Sequence, residues 1–597
     1  MSTLVETPSY PSTRGFEERF FPAADGVQLF YRYWPPAQSA SARCNAIVLL
    51  HRGHEHSGRL AHVVDELQLE GYAMFAWDAR GHGRSANGQT GSITLATFVE
   101  DLQAFVLHLA SEHRLAPENI AIVAQSVGSV LAAVWVHDYA PKIRCMVLAS
   151  PAFKVKLYVP FARPALALMD RWFEDMHVNS YVKAGALTHD PDRIASFKAD
   201  PLIQRPISVR VLIGLYSTAE RVIEDAAAIR TPTQLLISGS DYVVHHKPQH
   251  EFFARLGSTV KEKHIFEGFY HDTLGEKNRD QPIRKAREFI VRMFEQSSGQ
   301  PSLIDADKRG YTKDEFDALS RPLPVLSFKA AMFGVTRLAM ATGGRLSDGI
   351  RLGFRTGFDS GSTLDYVYRN HPSGVTPAGK LIDWFYLNSI GWRGIRVRKK
   401  HLEQLLIEAM RRLRIDSREV RILDIAAGHG RYVLEAIEKS APPDSVLLRD
   451  YSEENVKQGA SLILDKGMQE FARFEQGDAF EQASLSAIRP RATLGVVSGL
   501  YELFPGNGQL RQSLAGLAVA MEPGGYLVYT GQPWHPQLEM IARVLPSHRD
   551  HQPWVMRRRT QAELDELVEA AGFEKLDQLT DEWGIFTVSL AQLADRG

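Results

Sequence analysis

Cysteine is nearly absent: two residues in 597 leave no material for a disulfide framework or a thiolate zinc site. Cys44 and Cys145 each open an apolar, strand-like run ("CNAIVLL", "CMVLAS"), which fits a reducing cytosol. An excess of one charge is missing too. Lys+Arg number 69 and Asp+Glu 70, so the net charge is -1 and no global field attracts nucleic acid. Nowhere do 18 apolar residues run together, so no membrane-spanning helix is expected. The opening "MSTLVETPSYPSTRGFEER" has no apolar core and reaches Glu6 early, so no signal peptide is expected. No GxxxxGK[ST] loop, HExxH or clustered Cys/His spacing occurs, and no metal site is expected. What remains is ordinary globular composition, 44% hydrophobic and 23% charged. The length exceeds what one core supports, so two domains is the low estimate.

From a hairpin at "FFPAADGVQLFYRYWPP", read from its Asp-Gly turn, to about 296, short apolar runs alternate with helical stretches. Strands are expected at 46–51, 73–78, 119–125, 146–150, 233–240 and 260–268, with helices at 57–70, 94–113 and 127–139. Such alternation means a mostly parallel sheet covered on both faces. It lapses between 151 and 220, which reads as an insertion. The seam "EQSSGQPSLIDADKRGYTKDEF" (295–316) is polar and short of apolar pairs, and 297–312 is taken as linker. A helical extension follows at 313–392, then a second alternating domain at 393–597. Its strands are expected at 420–426, 445–450, 471–478, 492–498 and 524–532, with one more near the end in "GIFTVSLAQL". The fold class is α/β twice over.

In the first half, "NIAIVAQSVGSV" runs strand, serine, helix. A serine hydroxyl is a weak nucleophile until an imidazole takes its proton and a carboxylate holds that imidazole. The turn that presents such a serine is tight, so the residues two before and two after must be small. Ala124 and Gly128 meet that demand around Ser126. Alone, the motif reads equally as a buried serine capping a helix. Its partners decide. "LLISGSDYVV" ends a strand at Asp241 and "HIFEGFYHDTLGE" ends the next at His271, in the chain order Ser…Asp…His of α/β-hydrolases. Val127 would give one oxyanion N–H by position, and the loop after "AIVLLH" the other.

The blocks "HRGHEHSGR" (51–59), "WDARGHGRS" (77–85), "AQSVGS", "SGSDYVV" and "GFYHD" resemble, in order, those of monoacylglycerol-lipase-like α/β-hydrolases over residues 16–296. The resemblance implies a serine ester hydrolase with Gly53 as the second oxyanion donor. It also implies a cap at about 151–220 and a small-molecule or lipid-like ester substrate, such as a monoacylglycerol or lysophospholipid. Ala124 and Arg52 depart from the family's glycines. Arg52 either points to solvent or meets an anionic substrate group. The stretch "AFKVKLYVPFARPALALMDRWF" (152–173) has the composition of a lid over an acyl pocket, and equally of a helical hairpin buried against its own domain.

The second half offers "VRILDIAAGHGRY": strand, acid, tight loop, helix. Glycines let a backbone approach a ligand, and the next helix presents its N-terminus. Dinucleotide loops want G-x-G-x-x-G. Here A-x-G-x-G, spanning Ala426, Gly428 and Gly430 after Asp424, better fits S-adenosyl-L-methionine, which has no phosphate. Asp450 ends the second strand, 26 residues beyond Asp424, where a carboxylate holds ribose hydroxyls; Asp478 follows the third, where adenine is read. Each aspartate alone would also serve as a helix cap. These blocks resemble class I S-adenosylmethionine-dependent methyltransferases, with Rossmann-like folds. Residues 310–392 ("LGFRTGFDSGSTLDYVYRNHPSG") resemble the extension of bacterial methyltransferases that occur fused to such hydrolases.

The methyl acceptor is unknown. Tyr501 and Glu502 follow the fourth strand, Trp534 and His535 the fifth, and Tyr501 or His535 is the candidate base if the acceptor carries a proton. The stretch 392–414 carries eight Lys/Arg against two Glu, with Leu402, Leu405, Leu406, Met410 and Leu413 on one seam. It reads as a core-covering helix with a solvated face, or as a surface for anionic lipid. The whole is expected to be a cytoplasmic bifunctional enzyme, with contact at the inner membrane face left open. The alternative keeps the hydrolase and makes the second half a regulatory S-adenosylmethionine-binding module.

Overall fold

The computed structural model describes residues 12–37, 45–85, 93–158, 176–180, 182–296 and 299–595, together with Arg163, Leu166 and Met169. Cys44 and most of the expected lid at 152–173 lie outside the described residues. The chain divides into two compact units, Met1–Pro301 and Ser302–Gly597.

The first unit contains strands β1 (Glu17–Pro22), β2 (Gln28–Trp34), β3 (Ala46–Leu50), β4 (Ala73–Trp77), β5 (Ile120–Gln125), β6 (Cys145–Ala149), β7 (His177–Asn179), β8 (Pro206–Ser208), β9 (Thr233–Ser238) and β10 (Lys261–Phe266). Eight of them form one sheet in the order β1-β2-β4-β3-β5-β6-β9-β10. The β1–β2 hairpin turns at Gly26, whose φ of 83° suits glycine. From β4 onward every neighbour is parallel. Strands β3 to β6 are buried on both faces, which is why they read as continuous apolar runs rather than as alternation. One core lies on each face of the sheet. This is the α/β-hydrolase arrangement. The cap carries the β7–β8 ribbon and helices Pro191–Ala199 and Val209–Glu224. The short ribbon carries too few residues for a period to register.

The second unit begins with a helical extension: Tyr311–Ser320, Phe328–Thr342, Asp348–Thr356, Gly361–Arg369 and Pro377–Leu387. A 26-residue helix, Ile390–Ile415, then runs across the position where extension and second domain were divided. Within the stretch read as linker, Leu303 N donates to Glu566 at 2.8 Å and Asp307 accepts from Asn507 N at 2.8 Å, so residues 302–307 are fastened to this unit. The sheet order is β13-β12-β11-β14-β15-β17-β16, built from β11 (Arg421–Asp424), β12 (Ser445–Asp450), β13 (Ala472–Gln476), β14 (Ala492–Val497), β15 (Met521–Gly531), β16 (Phe573–Thr580) and β17 (Thr587–Leu593). The first five are parallel, and β17 runs antiparallel between β15 and β16. This is the class I methyltransferase arrangement. Strand β16 escaped the sequence reading because "FEKLDQLT" is an edge with mostly half-buried, polar side chains.

Helix Ile390–Ile415 buries Leu402, Leu405, Leu406, Met410 and Leu413, as its period requires. Most of its cations are engaged within the unit. Arg411 and Arg412 hold Glu408, Lys399 holds Glu403 and Glu435, Arg396 and Arg414 donate to carbonyls, and Arg398 is buried. Lys400 and Arg393 remain exposed, Arg393 at 3.8 Å from Glu582. Among the described residues, no helix is long and apolar enough to cross a membrane.

Candidate active sites

Strand β5 delivers Ser126 at φ 56° and ψ -114°, a conformation that a non-glycine residue holds only under constraint. The constraint is visible. Ser126 N donates to Ala149 O at 2.9 Å, and its carbonyl accepts from Ser129 and Ala152 at 3.1 Å. A Cβ on Gly128 would stand 2.6 Å from His51 O and 2.8 Å from Leu50 O, so only glycine lets the helix start this close to β3. Ala124, opposite Leu50 in the sheet, is fully buried, so the position two before the serine tolerates one methyl group.

His271 and Asp241 arrive from loops after β10 and β9. His271 Nε2 lies 2.7 Å from Ser126 Oγ, and Nδ1 lies 2.7 Å from Asp241 Oδ2. Asp241 Oδ1 accepts from Val243 N at 2.7 Å and Val244 N at 2.9 Å. Burial alone would raise the Asp241 pKa, but the imidazole and these two N–H groups outweigh it and hold the carboxyl below its usual range. Gly53 and Val127 adjoin, a Cβ on Gly53 lying 3.4 Å from Val127 Cγ2. Both face a cavity of about 390 Å³ together with Ser126 and His271. Its wall is largely aliphatic, including Val155, Leu166, Leu212 and Leu215.

Arg52 does not point to solvent: it lines the cavity with its Nη1 unpartnered among the described residues, but most of its charge is already matched. It is 4% exposed, and donates to both oxygens of Glu55 at 2.7 Å, with Asp272 3.4 Å away. Asp272 in turn accepts from Arg193 and Gln125, each at 2.8 Å. Gln125 precedes Ser126 and Asp272 follows His271, so this buried network ties the strand end of the nucleophile to the loop of the histidine. Burial opposes the charge on Asp272, but Arg193 and Arg52 overcome it and drive its pKa far down. Glu55 and Asp272 stood inside quoted blocks without a role. The Arg-x-x-Glu spacing in "HRGHE" was the available signal.

In the second unit, Asp424 ends β11 fully buried. Its carboxyl accepts from Ala426 N at 3.1 Å and Tyr432 OH at 2.7 Å, and burial pushes its pKa up to about 7. Gly428 and Gly430 adopt φ 58° and 72°. Asp450, at the end of β12, accepts from Gly428 N, Ser452 N and Asn455 Nδ2, each at 2.9 Å. Asp424, Ala426, Gly428 and Asp450 thus form one cluster, with Gly430 packed on Leu448. Asp478 joins none of them; it accepts from Phe480 N at 2.8 Å in a local turn. The extension closes over the loop, since Gly361 Cα lies 3.6 Å from where a Gly428 Cβ would be. Arg431, the loop's cation, is held by Asp365 and Glu435.

A second cavity, about 380 Å³, lies in this unit among Leu364, Trp392, Ile395, Gly499, Glu502 and His535. Neither candidate base holds. Tyr501 is 2% exposed, bonded to Ser513, pushed up by burial, and does not reach the cavity. His535 does reach it, but burial lowers its pKa to about 4. Its Nδ1 accepts from Gln537 N at 3.0 Å, which leaves the neutral ring a proton on Nε2. It is a donor rather than a base. Trp534 packs in the core of the extension.

Residues 41–278 match a family described as "Serine aminopeptidase, S33", and residues 286–593 match one described as "Putative methyltransferase". An uncharacterized protein of Escherichia coli (strain K12), YnbC, is 55% identical over 97% of this chain and 98% of its own length. A monoacylglycerol lipase of Mycolicibacterium smegmatis is 27% identical over 47% of this chain and 98% of its own length. The crystal structure of a Paleococcus ferrophilus monoacylglycerol lipase, 22% identical, covers 44% of this chain and 99% of that one at a TM-score of 0.40. With a hydrolase domain ahead of a matching region that spans more than half its length, the chain belongs to the family described as "Putative methyltransferase".

Proposed function

We propose that the chain carries two activities: serine-dependent hydrolysis of a lipid-like carboxylic ester, and methyl transfer from S-adenosylmethionine. The observation that carries the first is the relay Ser126–His271–Asp241 opening on an aliphatic cavity. Ser126 Oγ attacks the ester carbonyl while His271 Nε2 takes its proton, and Asp241 steadies the resulting imidazolium. The N–H groups of Gly53 and Val127 receive the oxyanion. His271 then returns the proton to the leaving alcohol, and water releases the acyl group through the same relay.

The M. smegmatis relative supports a monoacylglycerol. For an anionic head, as in a lysophospholipid, the cation with unmatched charge is Arg205, since Arg52 on the same wall is already neutralised by Glu55 and Asp272. Arg205 is exposed on the cavity wall with no acidic partner among the described residues. A fluorophosphonate should label the chain but not Ser126→Ala. On glycerol monoesters below the critical micelle concentration, kcat/KM should climb by about tenfold per added pair of carbons, at about 0.8 kcal/mol per buried methylene. An unlabelled chain would overturn the hydrolase, and a flat profile the lipid substrate.

For the second activity, S-adenosylmethionine would supply an electrophilic methyl group. The residues present suit it: a tight loop turned by the positive φ of Gly428 and Gly430, and a strand-end carboxylate at Asp450 fixed against that loop. The loop backbone from Ala426 to Gly430 and Asp450 would hold the ligand, with Asp424 bracing the loop from beneath and Asp478 toward the adenine. Asp450→Ala should weaken S-adenosylmethionine binding by calorimetry by about 1.5–3 kcal/mol, the cost of hydrogen bonds to a charged group. A parent chain that shows no binding refutes this reading.

A further inference from the structure

The second unit's cavity has a mostly apolar wall, and several of its polar atoms are unanswered. Among the described residues, Arg398 Nε, Glu502 Oε2, Tyr386 OH and Trp554 Nε1 are buried without a hydrogen-bond partner, and all four residues line this cavity. Native proteins leave few such atoms, so four around one space point to a ligand that answers them. The two charged groups are the sharpest. Arg398 is 3% exposed and Glu502 is 9% exposed. They stand side by side at 3.6 Å, too long for a tight bond.

Their positions are set by other contacts. The Arg398 guanidinium lies over the Phe586 ring at 5.1 Å, and Glu502 Oε1 accepts from Thr530 Oγ1 at 3.2 Å. Oε2 is left as an acceptor and Nε as a donor. Among the described residues, the rest of the wall adds no unpartnered charge: the Asp359 carboxylate is taken by Ser547 and His548, and His535 is neutral.

We propose that this cavity binds a neutral, mainly apolar small molecule bearing a hydroxyl group, whose O–H donates to Glu502 while its oxygen accepts from Arg398. A hydroxyl does both at one atom. An anionic head would meet Glu502 and a cationic head Arg398, each a like charge in a place shielded from water. The apolar body has a path outward. Phe385 lines the cavity yet is 62% exposed, and Leu381 and Trp384 extend an exposed apolar surface on the same helix. The inference deepens the methyl-transfer reading by giving the chemistry of the acceptor, but binding itself requires no transfer.

The test is equilibrium dialysis of the full chain, without S-adenosylmethionine, against four probes: 2-naphthol, naphthalene, 2-naphthoate and 2-naphthylmethylamine. 2-Naphthol should bind about tenfold or more tighter than naphthalene, as a hydrogen bond to charged groups warrants. Glu502→Gln should weaken 2-naphthol several-fold and strengthen 2-naphthoate. Arg398→Met should strengthen 2-naphthylmethylamine, and naphthalene should be unmoved by either change. Should one variant fail to fold, the other still shows its charge swap. If 2-naphthol binds no tighter than naphthalene, or the variants move all four probes alike, the assignment is overturned. Parallel titration with S-adenosylmethionine separates the two readings. 2-Naphthol binding without it keeps the cavity assignment and sinks methyl transfer, and the reverse outcome sinks the cavity assignment alone.

Discussion

Asp241→Asn replaces one carboxylate oxygen by an amide nitrogen, and the surroundings dictate which one. Oδ1 accepts two backbone N–H groups, from Val243 and Val244, while Oδ2 faces His271 Nδ1. An NH2 group cannot accept from those N–H groups, so the Asn carbonyl must take the Oδ1 position. Its NH2 then points at His271 Nδ1, which becomes an acceptor, and the ring's proton moves to Nε2. That nitrogen, 2.7 Å from Ser126 Oγ, no longer has a lone pair for the serine proton. The geometry survives and the tautomer is wrong. The expected loss in kcat is about 10⁴-fold, roughly 5.5 kcal/mol in the barrier. Hydrolysis of p-nitrophenyl butyrate reads the rate, and a thermal melt checks that the unit is folded. Retention of more than about a tenth of the activity, with an unchanged melt, would refute the relay.

Two further outcomes test the corrected assignments. Arg52→Ala leaves Glu55 and Asp272 short of a cation in a buried network, and should cost about 3–5 kcal/mol in urea unfolding of the first unit. Head-group preference should not change; a lost preference for anionic esters at intact stability would restore Arg52 as a substrate contact. In the folded chain Asp424 keeps its proton to about pH 7, against a reference value of 3.8. Its favourable contribution is therefore complete below pH 3.8 and is lost as pH rises through about 7. Asp424→Asn never ionises, so its stability relative to the parent should rise by about 2–3 kcal/mol between pH 5 and pH 8. A pH-independent difference would show that Asp424 is charged throughout.

Much of the fold was legible because its signals are local. Buried parallel strands announce themselves as short apolar runs, and helices as a 3.6-residue period, each within a dozen residues. Ser126, Asp241 and His271 could be named from the sequence because each ends a strand, and the sheet order brings those strand ends to one edge. The same logic placed Asp424, Gly428 and Asp450. A strand end is a place as well as a pattern.

What tertiary structure alone decided were the partners of individual side chains. Arg52 read as a free cation until Asp272, remote in the chain, closed a network around it. Tyr501 and Glu502 are neighbours in sequence, yet one turns into the core toward Ser513 while the other faces the cavity. His535 became a donor only through the Gln537 N–H. The extension's place over the glycine loop rests on Gly361 meeting Gly428, a contact no period encodes. Sequence determines where backbone hydrogen bonding and apolar burial put the elements. Which charges are matched, and which polar atoms remain to meet a ligand, depends on residues that become neighbours only when those elements pack.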